Sequence, residues 1–183
     1  MDNTNFDQFP KLKVLGMDHE KTLFFFRDEL KDEAPETVPG DELMHVASVI
    51  ARYSQISTQA GFSISAPTDI RDIFERFVLD NTTWDDAEML EEAAKELLLF
   101  TGLFGNQIVA RRRGATLSYF EGLGKGFYYR ASEHEKYKHS LDKRRMLGKM
   151  SCSFPEWTTI LRRLGRTFHD RRYMLSSFEK LEP

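Results

Sequence analysis

Apolar residues recur every three or four positions through nearly the whole chain, the spacing that gathers side chains on one face of an α-helix. The clearest such stripe follows Thr68 and consists of Ile70, Ile73, Phe74, Phe77 and Val78. Only FSISAP, residues 62–67, alternates as a strand does, and we interpret this short stretch as an extended linker. The sequence therefore predicts a compact all-α fold of about seven helices joined by short loops.

Chain length and polarity define the expected domain organisation. A chain of 183 residues can bury a sufficient core as one domain without a disulfide or a metal ion. Residues 1–17 are polar and predict a loose N-terminal arm, and residues 18–183 predict a single helical domain. The single cysteine, Cys152, and the lack of a leader or of a bilayer-length apolar stretch lead us to expect a cytoplasmic protein without membrane contact.

Capping residues predict where several helices begin. The first helix should run from Asp18 to about Lys31, and Asp41 should be the N-cap of a second helix that ends by Gly61. Thr83 is the expected N-cap of a further helix, whose core stripe would comprise Met89, Leu90, Ala93, Leu97 and Phe100.

Three serines followed by a glutamate three residues later fit the capping-box pattern, and these pairs are Ser118 with Glu121, Ser132 with Glu135 and Ser153 with Glu156. The last pair has Pro155 in the predicted first turn, where its missing N–H costs little. The final helix would then bury Trp157, Ile160, Leu161, Leu164 and Phe168.

Charge is divided unevenly along the chain, although the net charge is only −3. Residues 1–105 hold 9 Lys and Arg against 21 Asp and Glu, whereas residues 106–183 hold 17 against 8. The helical domain thus has an acidic part, 18–105, and a basic part, 106–183. One interpretation is that acidic and basic helices pack side by side and neutralise each other; the other is that the basic part meets an acidic partner.

The basic part predicts a cationic face suited to phosphates. Its candidate binding residues are Arg144, Arg145, Lys149, Arg162, Arg163, Arg166, Arg171 and Arg172. Four tyrosines could stack on bases if they are exposed, and these are Tyr128, Tyr129, Tyr137 and Tyr173. A pI near 6.0 and the lack of a helix-turn-helix pair, zinc spacing or RNP motif argue against nucleic acid as the partner.

The stretch YFEGLGKGFYYR, residues 119–130, carries three glycines at alternate positions. It lacks the spacing of a P-loop or of a dinucleotide-binding fingerprint, so a phosphate cradle is not expected. On a helix, Gly122 and Gly126 lie one turn apart on the same face, and each costs about 1 kcal/mol relative to alanine. We therefore predict that Gly122 and Gly126 permit close packing of a neighbouring helix; a helix break near Gly124 is the alternative.

Two places could carry catalytic chemistry. Glu42 and His45 are three residues apart on a predicted helix, the spacing used by helical bundles that bind two metal ions, but the sequence has no second Glu-x-x-His. We interpret both as residues on a polar helix edge. Cys152 lacks any local signature of a cysteine enzyme, and we expect a small, at least half-buried side chain before a helix cap.

These observations favour a domain that works by binding rather than by catalysis. The leading hypothesis is a non-enzymatic protein-interaction or regulatory module with no cofactor, whose partner is another protein or a second copy held by complementary acidic and basic surfaces. The alternatives are a nucleic-acid-binding protein that uses the basic C-terminal helices and a helical metalloenzyme centred on Glu42 and His45.

Overall fold

A computed structural model describes residues 19–59, 86–106 and 115–170. These residues form five α-helices: α1 His19–Glu33, α2 Gly40–Gln59, α3 Ala87–Thr101, α4 Ala115–Glu133 and α5 Leu141–Asp170. A short 3-10 helix, Glu135–Tyr137, lies between α4 and α5. No strand occurs in the three described ranges, so the predicted all-α class is confirmed for them.

Helix α5 is the common packing partner of the other four helices. The pairs α1 with α2 and α3 with α4 also contact each other extensively, and α4 packs closely against α5. Their apolar faces meet in one core, and its largest fully buried side chains are Trp157, Tyr128, Phe26, Phe104, Phe154, Leu30, Ile50, Leu90 and Leu97. Amphipathic stripes of helical period therefore determine which faces meet.

The first two helices agree with their predicted limits to within two residues. Helix α2 begins at Gly40 rather than after an Asp41 cap, because the Pro39 carbonyl accepts a hydrogen bond of 3.1 Å from the Leu43 N–H. The Asp41 carboxylate accepts instead from its neighbour, the Glu42 N–H, at 3.1 Å.

Helix α3 has a different cap from the predicted one. Asp86 is the N-cap, and its side chain accepts hydrogen bonds from the Glu88 and Met89 N–H groups at 2.9 and 3.3 Å. Thr83 lies outside the described residues. The predicted stripe is confirmed except at Met89, which is 37% exposed because it lies beside the buried row rather than on it.

One long helix replaces the predicted helix start at Ser153. Helix α5 runs unbroken for 30 residues through Pro155, whose ring nitrogen cannot donate to the Ser151 carbonyl. The helix continues because its buried stripe is continuous on both sides of the proline, through Met150, Phe154, Trp157, Leu161 and Leu164. This merging is one reason why the described residues hold five α-helices and not seven. The helix predicted after Thr68 and the 62–67 linker lie outside the described residues, as does the 1–17 arm.

All three predicted capping boxes are wrong, because each serine lies inside a helix. Ser118 is exposed on α4, which begins at Ala115. The Ser132 hydroxyl donates to the Tyr129 carbonyl at 2.6 Å, the back-bonding that serine makes in a helix interior. Serine and glutamate three residues apart also share a helix face anywhere along a helix, so the pattern alone cannot distinguish a cap from an interior.

Helix α4 continues through all three glycines, so the predicted alternative of a break near Gly124 is wrong. Gly124 lies against the ring of Phe154 on α5: a Cβ built at Gly124 would be 2.2 Å from the ring carbon Cζ. A real Cβ cannot come that close, so only glycine allows α4 and α5 to approach as they do. The close helix packing thus exists, but it depends on Gly124.

Candidate interaction surface on α4

Four of the eight residues of the predicted basic face bond other groups of the fold. Lys149 donates to Asp41 at 2.6 Å, and Arg163 donates to the Glu33 carbonyl at 2.7 Å; both acceptors belong to the acidic part. Arg162 forms an ion pair with Glu121 on α4. Arg163 also lies 3.8 Å from the Glu33 carboxylate, so the interpretation that acidic and basic helices neutralise each other holds for Lys149 and Arg163.

The remaining predicted cations divide into three groups. Arg144 donates to the Ser132 carbonyl at 3.0 Å and to Glu133 at 3.3 Å. Arg145 and Arg166 are exposed to solvent. Arg171 and Arg172 lie outside the described residues, so the structure does not bring all eight cations to one surface.

Further ion pairs between the two charge classes surround α3. Lys136 lies 2.8 Å from Glu88, and Lys143 lies 2.7 Å from Glu91. Glu91 is buried and also bonds Lys95 at 2.7 Å. Burial alone would raise the pKa of Glu91, but the hydrogen bonds from Lys143 and Lys95 outweigh it and lower the pKa below its usual value.

Glu42 is a buried structural carboxylate and not an edge residue. Its Oε2 atom accepts hydrogen bonds from Ser153 Oγ at 2.6 Å and from the indole Nε1 of Trp157 at 3.0 Å. These contacts join α2 to α5 at the level of Pro155 and satisfy a carboxylate oxygen that would otherwise be costly to bury. Our interpretation of Glu42 as a polar edge residue is therefore wrong.

His45 is likewise turned toward the core. Its Nε2 atom lies 3.1 Å from the hydroxyl of Tyr128, which is fully buried on α4. Burial lowers the pKa of His45 to about 4, and the positive charge of Lys95 contributes to the lowering. At neutral pH His45 is therefore an uncharged hydrogen-bonding partner of Tyr128. Burial also raises the pKa of the Tyr128 hydroxyl well above its usual value.

Metal binding finds no support in this arrangement. Glu42 and His45 each have a partner from another helix, and the described residues contain no group of three or more His, Cys, Asp or Glu side chains able to hold a metal ion. Two ligands without further donors do not make a protein metal site.

The tyrosines proposed for base stacking occupy different environments. Tyr128 is fully buried, and the Tyr137 hydroxyl donates to Glu91 at 3.3 Å. Burial and the nearby Glu91 carboxylate raise the pKa of Tyr137 to about 12. Tyr129 is 60% exposed, and Tyr173 lies outside the described residues. Cys152 is exposed on α5, contrary to the half-buried position that we predicted.

The outer side of α4 combines two glycines with two exposed tyrosines. Gly122 is exposed and Gly126 half-buried, and a Cβ at either position would have no atom of the described residues within 4 Å. Tyr119 and Tyr129, which are 47% and 60% exposed, lie at the two ends of this pair of glycines. We call these four residues the glycine–tyrosine face. Among the described residues, no helix packs on Gly122 and Gly126 as predicted, because α5 lies on the opposite side of α4, at Gly124.

The glycine–tyrosine face could have been found in the sequence from its spacing. Tyr119, Gly122, Gly126 and Tyr129 follow one another at intervals of three, four and three, so they share one side of any uninterrupted helix. What the sequence could not show is which side of α4 is buried. That depends on Phe154, which lies 30 residues further along the chain.

The comparisons with known proteins found no similarity: no protein-family model, no curated protein and no solved structure matches this chain. Among the helices of the described ranges, none is long and apolar enough to cross a membrane.

Proposed function

We propose that this domain is a non-enzymatic protein-interaction module and that its binding surface is the glycine–tyrosine face of α4. The observation that carries this proposal is the open space at Gly122 and Gly126. Each glycine destabilises the helix by about 1 kcal/mol relative to alanine. No contact within the described residues compensates for that cost, whereas the close approach of a partner's backbone would.

The flanking tyrosines fit the same role. Tyrosine is enriched in protein interfaces because a large rigid ring contributes contact area while its hydroxyl still finds a polar partner. Tyr119 and Tyr129 are two of the five large hydrophobic side chains that are exposed in the described residues, and both border the two glycines. The two exposed rings can anchor a partner helix, and the two glycines between them allow its backbone to approach closely.

The charge contacts favour this surface over the two alternatives. Lys149, Arg162 and Arg163 already have acceptors within the fold, which weakens support for a phosphate-binding face and for self-association through oppositely charged surfaces. The metalloenzyme alternative also loses support, because Glu42 and His45 already form hydrogen bonds with Trp157 and Tyr128. A cytoplasmic location remains a prediction.

The test compares proteins retained by the immobilised full chain with those retained by two variants. Gly126→Leu fills the glycine–tyrosine face. Gly148→Leu is the matched control on α5, where a Cβ also has no neighbour within 4 Å in the described part of the chain. We expect Gly126→Leu to abolish specific retention and Gly148→Leu to preserve it. Equal retention by both variants would remove the glycine–tyrosine face as the binding surface.

A further inference from the structure

The glycine–tyrosine face is symmetric about the middle of its helix. Helix α4 runs from Ala115 to Glu133, so Gly124 is its central residue. Gly122 and Gly126 each lie two residues from this centre, and Tyr119 and Tyr129 each lie five residues from it. The order of residues along the face is therefore the same in both directions.

A symmetric face of this kind suits a second copy of itself. A two-fold interface brings the same patch of two subunits together, and each residue must then fit its counterpart. In an antiparallel α4–α4 pair centred on Gly124, Gly122 lies at the level of the partner's Gly126, and Tyr119 lies beside the partner's Tyr129. We propose, on the basis of the proposed function, that the partner of this surface is a second copy of the chain, bound through α4 in this antiparallel arrangement.

Steric considerations support this pairing. Glycines at the crossing allow two helix backbones to approach more closely than larger side chains would permit. Because neither Gly122 nor Gly126 has a neighbour within 4 Å of a built Cβ, this approach is not blocked by other described atoms at these positions. The tyrosine rings at both ends then pack across the two helices and exclude water from the crossing.

Charge complementarity favours the antiparallel direction. Glu133 lies at the C-terminal end of α4, nine residues from Gly124, on the same side as the glycines; it accepts from Arg144 at 3.3 Å, and its side chain is still 56% exposed. The antiparallel pair places this carboxylate level with Ala115, at the N-terminus of the partner's α4. A helix N-terminus carries partial positive charge, so it stabilises a nearby carboxylate, and the symmetry repeats the contact at the other end. A parallel pair would place the two negative C-termini side by side.

The size of the contact determines the expected affinity. One pair of 19-residue helices buries less area than the roughly 1,200 Å² of a small specific interface. We therefore expect a reversible dimer whose population rises with protein concentration, not a permanent one. Its dissociation constant should lie in the range of about 1 μM to 1 mM, typical of weak association.

The first experiment is sedimentation velocity over a series of concentrations with the full chain and two variants. We expect wild type to dimerise and the double substitution Gly122→Ala with Gly126→Ala to weaken the dimer by about tenfold or more, as expected when helix backbones are separated at their crossing. Gly148→Ala, the control on α5, should leave the dimer unchanged. A wild-type protein that is monomeric at every concentration, or a dimer indifferent to the double substitution, would overturn the proposal.

The second experiment tests the direction of the pair. In a Cys152→Ser background, a mixture of Tyr119→Cys and Tyr129→Cys chains should form a disulfide between different chains. Either variant alone should not, because identical positions are about 15 Å apart along the antiparallel axis. Rapid crosslinking of each variant with itself would contradict the antiparallel pair.

The outcomes separate this proposal from the proposed function. A monomeric wild type that still retains another protein in a Gly126→Leu-sensitive manner would remove the second copy as partner and keep the interaction module. A monomer that retains the same proteins with and without the Gly126→Leu substitution would contradict both the dimer and the proposed binding surface.

Discussion

The two sides of α4 use glycine for different reasons. On the inner side, Gly124 is required because the Phe154 ring occupies the space of a side chain. On the outer side, Gly122 and Gly126 have open space, and nothing in the described fold requires a glycine there. The comparison shows that a glycine's role depends on its neighbours in space. Gly148 on α5 is equally open, so our proposal for the outer side of α4 depends on the pair of glycines together with the exposed tyrosines beside it.

The largest expected effect is on the inner side. Gly124→Leu should lower the free energy of unfolding by about 3 kcal/mol, the upper end for an overpacked core, because even its Cβ would overlap the Phe154 ring. Urea denaturation monitored by circular dichroism measures this change. Gly122→Leu is the matched control at an exposed site and should not lower this free energy, because leucine has a higher helix propensity than glycine. Equal losses from both substitutions would contradict the distinction between the two sides.

Acid should lower the free energy of unfolding, because it protonates His45, whose ring contacts the buried side of α4. Its pKa is about 4 in the folded protein, whereas the ordinary pKa of histidine is 6.5, so folding favours the neutral ring. This contribution is present above pH 6.5 and is lost as the pH falls toward 4, by about 2 kcal/mol at about pH 5. The lowered pKa of Glu91 adds a further loss only below its ordinary value of 4.5.

Urea denaturation at about pH 7 and about pH 5 measures the acid effect. His45→Gln should flatten the pH dependence between these values, because glutamine can still bond Tyr128 but does not titrate. A wild-type protein equally stable at both values would contradict the buried neutral histidine.

Two adjacent tyrosines, one on each side of α4, test the same comparison with a smaller expected change in the free energy of unfolding. Tyr128→Phe removes the hydroxyl that bonds His45 and should reduce the free energy of unfolding by about 1 kcal/mol. Tyr129→Phe removes a hydroxyl on the exposed side and should change that free energy by less than about 0.5 kcal/mol. Thermal unfolding of the two variants in parallel measures the difference, and a larger loss at Tyr129 would reverse our assignment of the two sides.

The smallest expected effect is a gain. Gly122→Ala should stabilise the monomer by about 0.5–1 kcal/mol, because alanine has the higher helix propensity and its methyl group has free space. Urea denaturation at low protein concentration measures it. A loss of stability would mean that Gly122 has a packing role within the chain.

Several structural features could be predicted from the sequence because they depend on nearby residues. The stripe of Trp157, Ile160, Leu161 and Leu164 is buried as its spacing indicated, and the limits of α1 follow from local polarity. The predicted capping box at Ser153 is wrong because α5 continues across Pro155, where its apolar side chains are buried by other helices. Glu42 and His45 were placed on a polar edge because their partners, Trp157 and Tyr128, are more than 80 residues away.

The candidate surface was only partly predictable. The spacing of Gly122 and Gly126 correctly indicated one helix face. The structure was needed to show that this face is the outer one, since the position of Phe154 decides which side of α4 is covered. Tyr119 and Tyr129 become candidate interface residues only once this side of α4 is known to be exposed.

The central position of α5 has a consequence during synthesis. It packs against each of the other four described helices, yet it follows them in the chain. While the ribosome is still adding α5, the finished helices α1 to α4 hold apolar faces that lack their common partner. A nascent chain at that stage is prone to aggregate and is a natural client for chaperones, so the domain completes its core only when translation has passed Leu164.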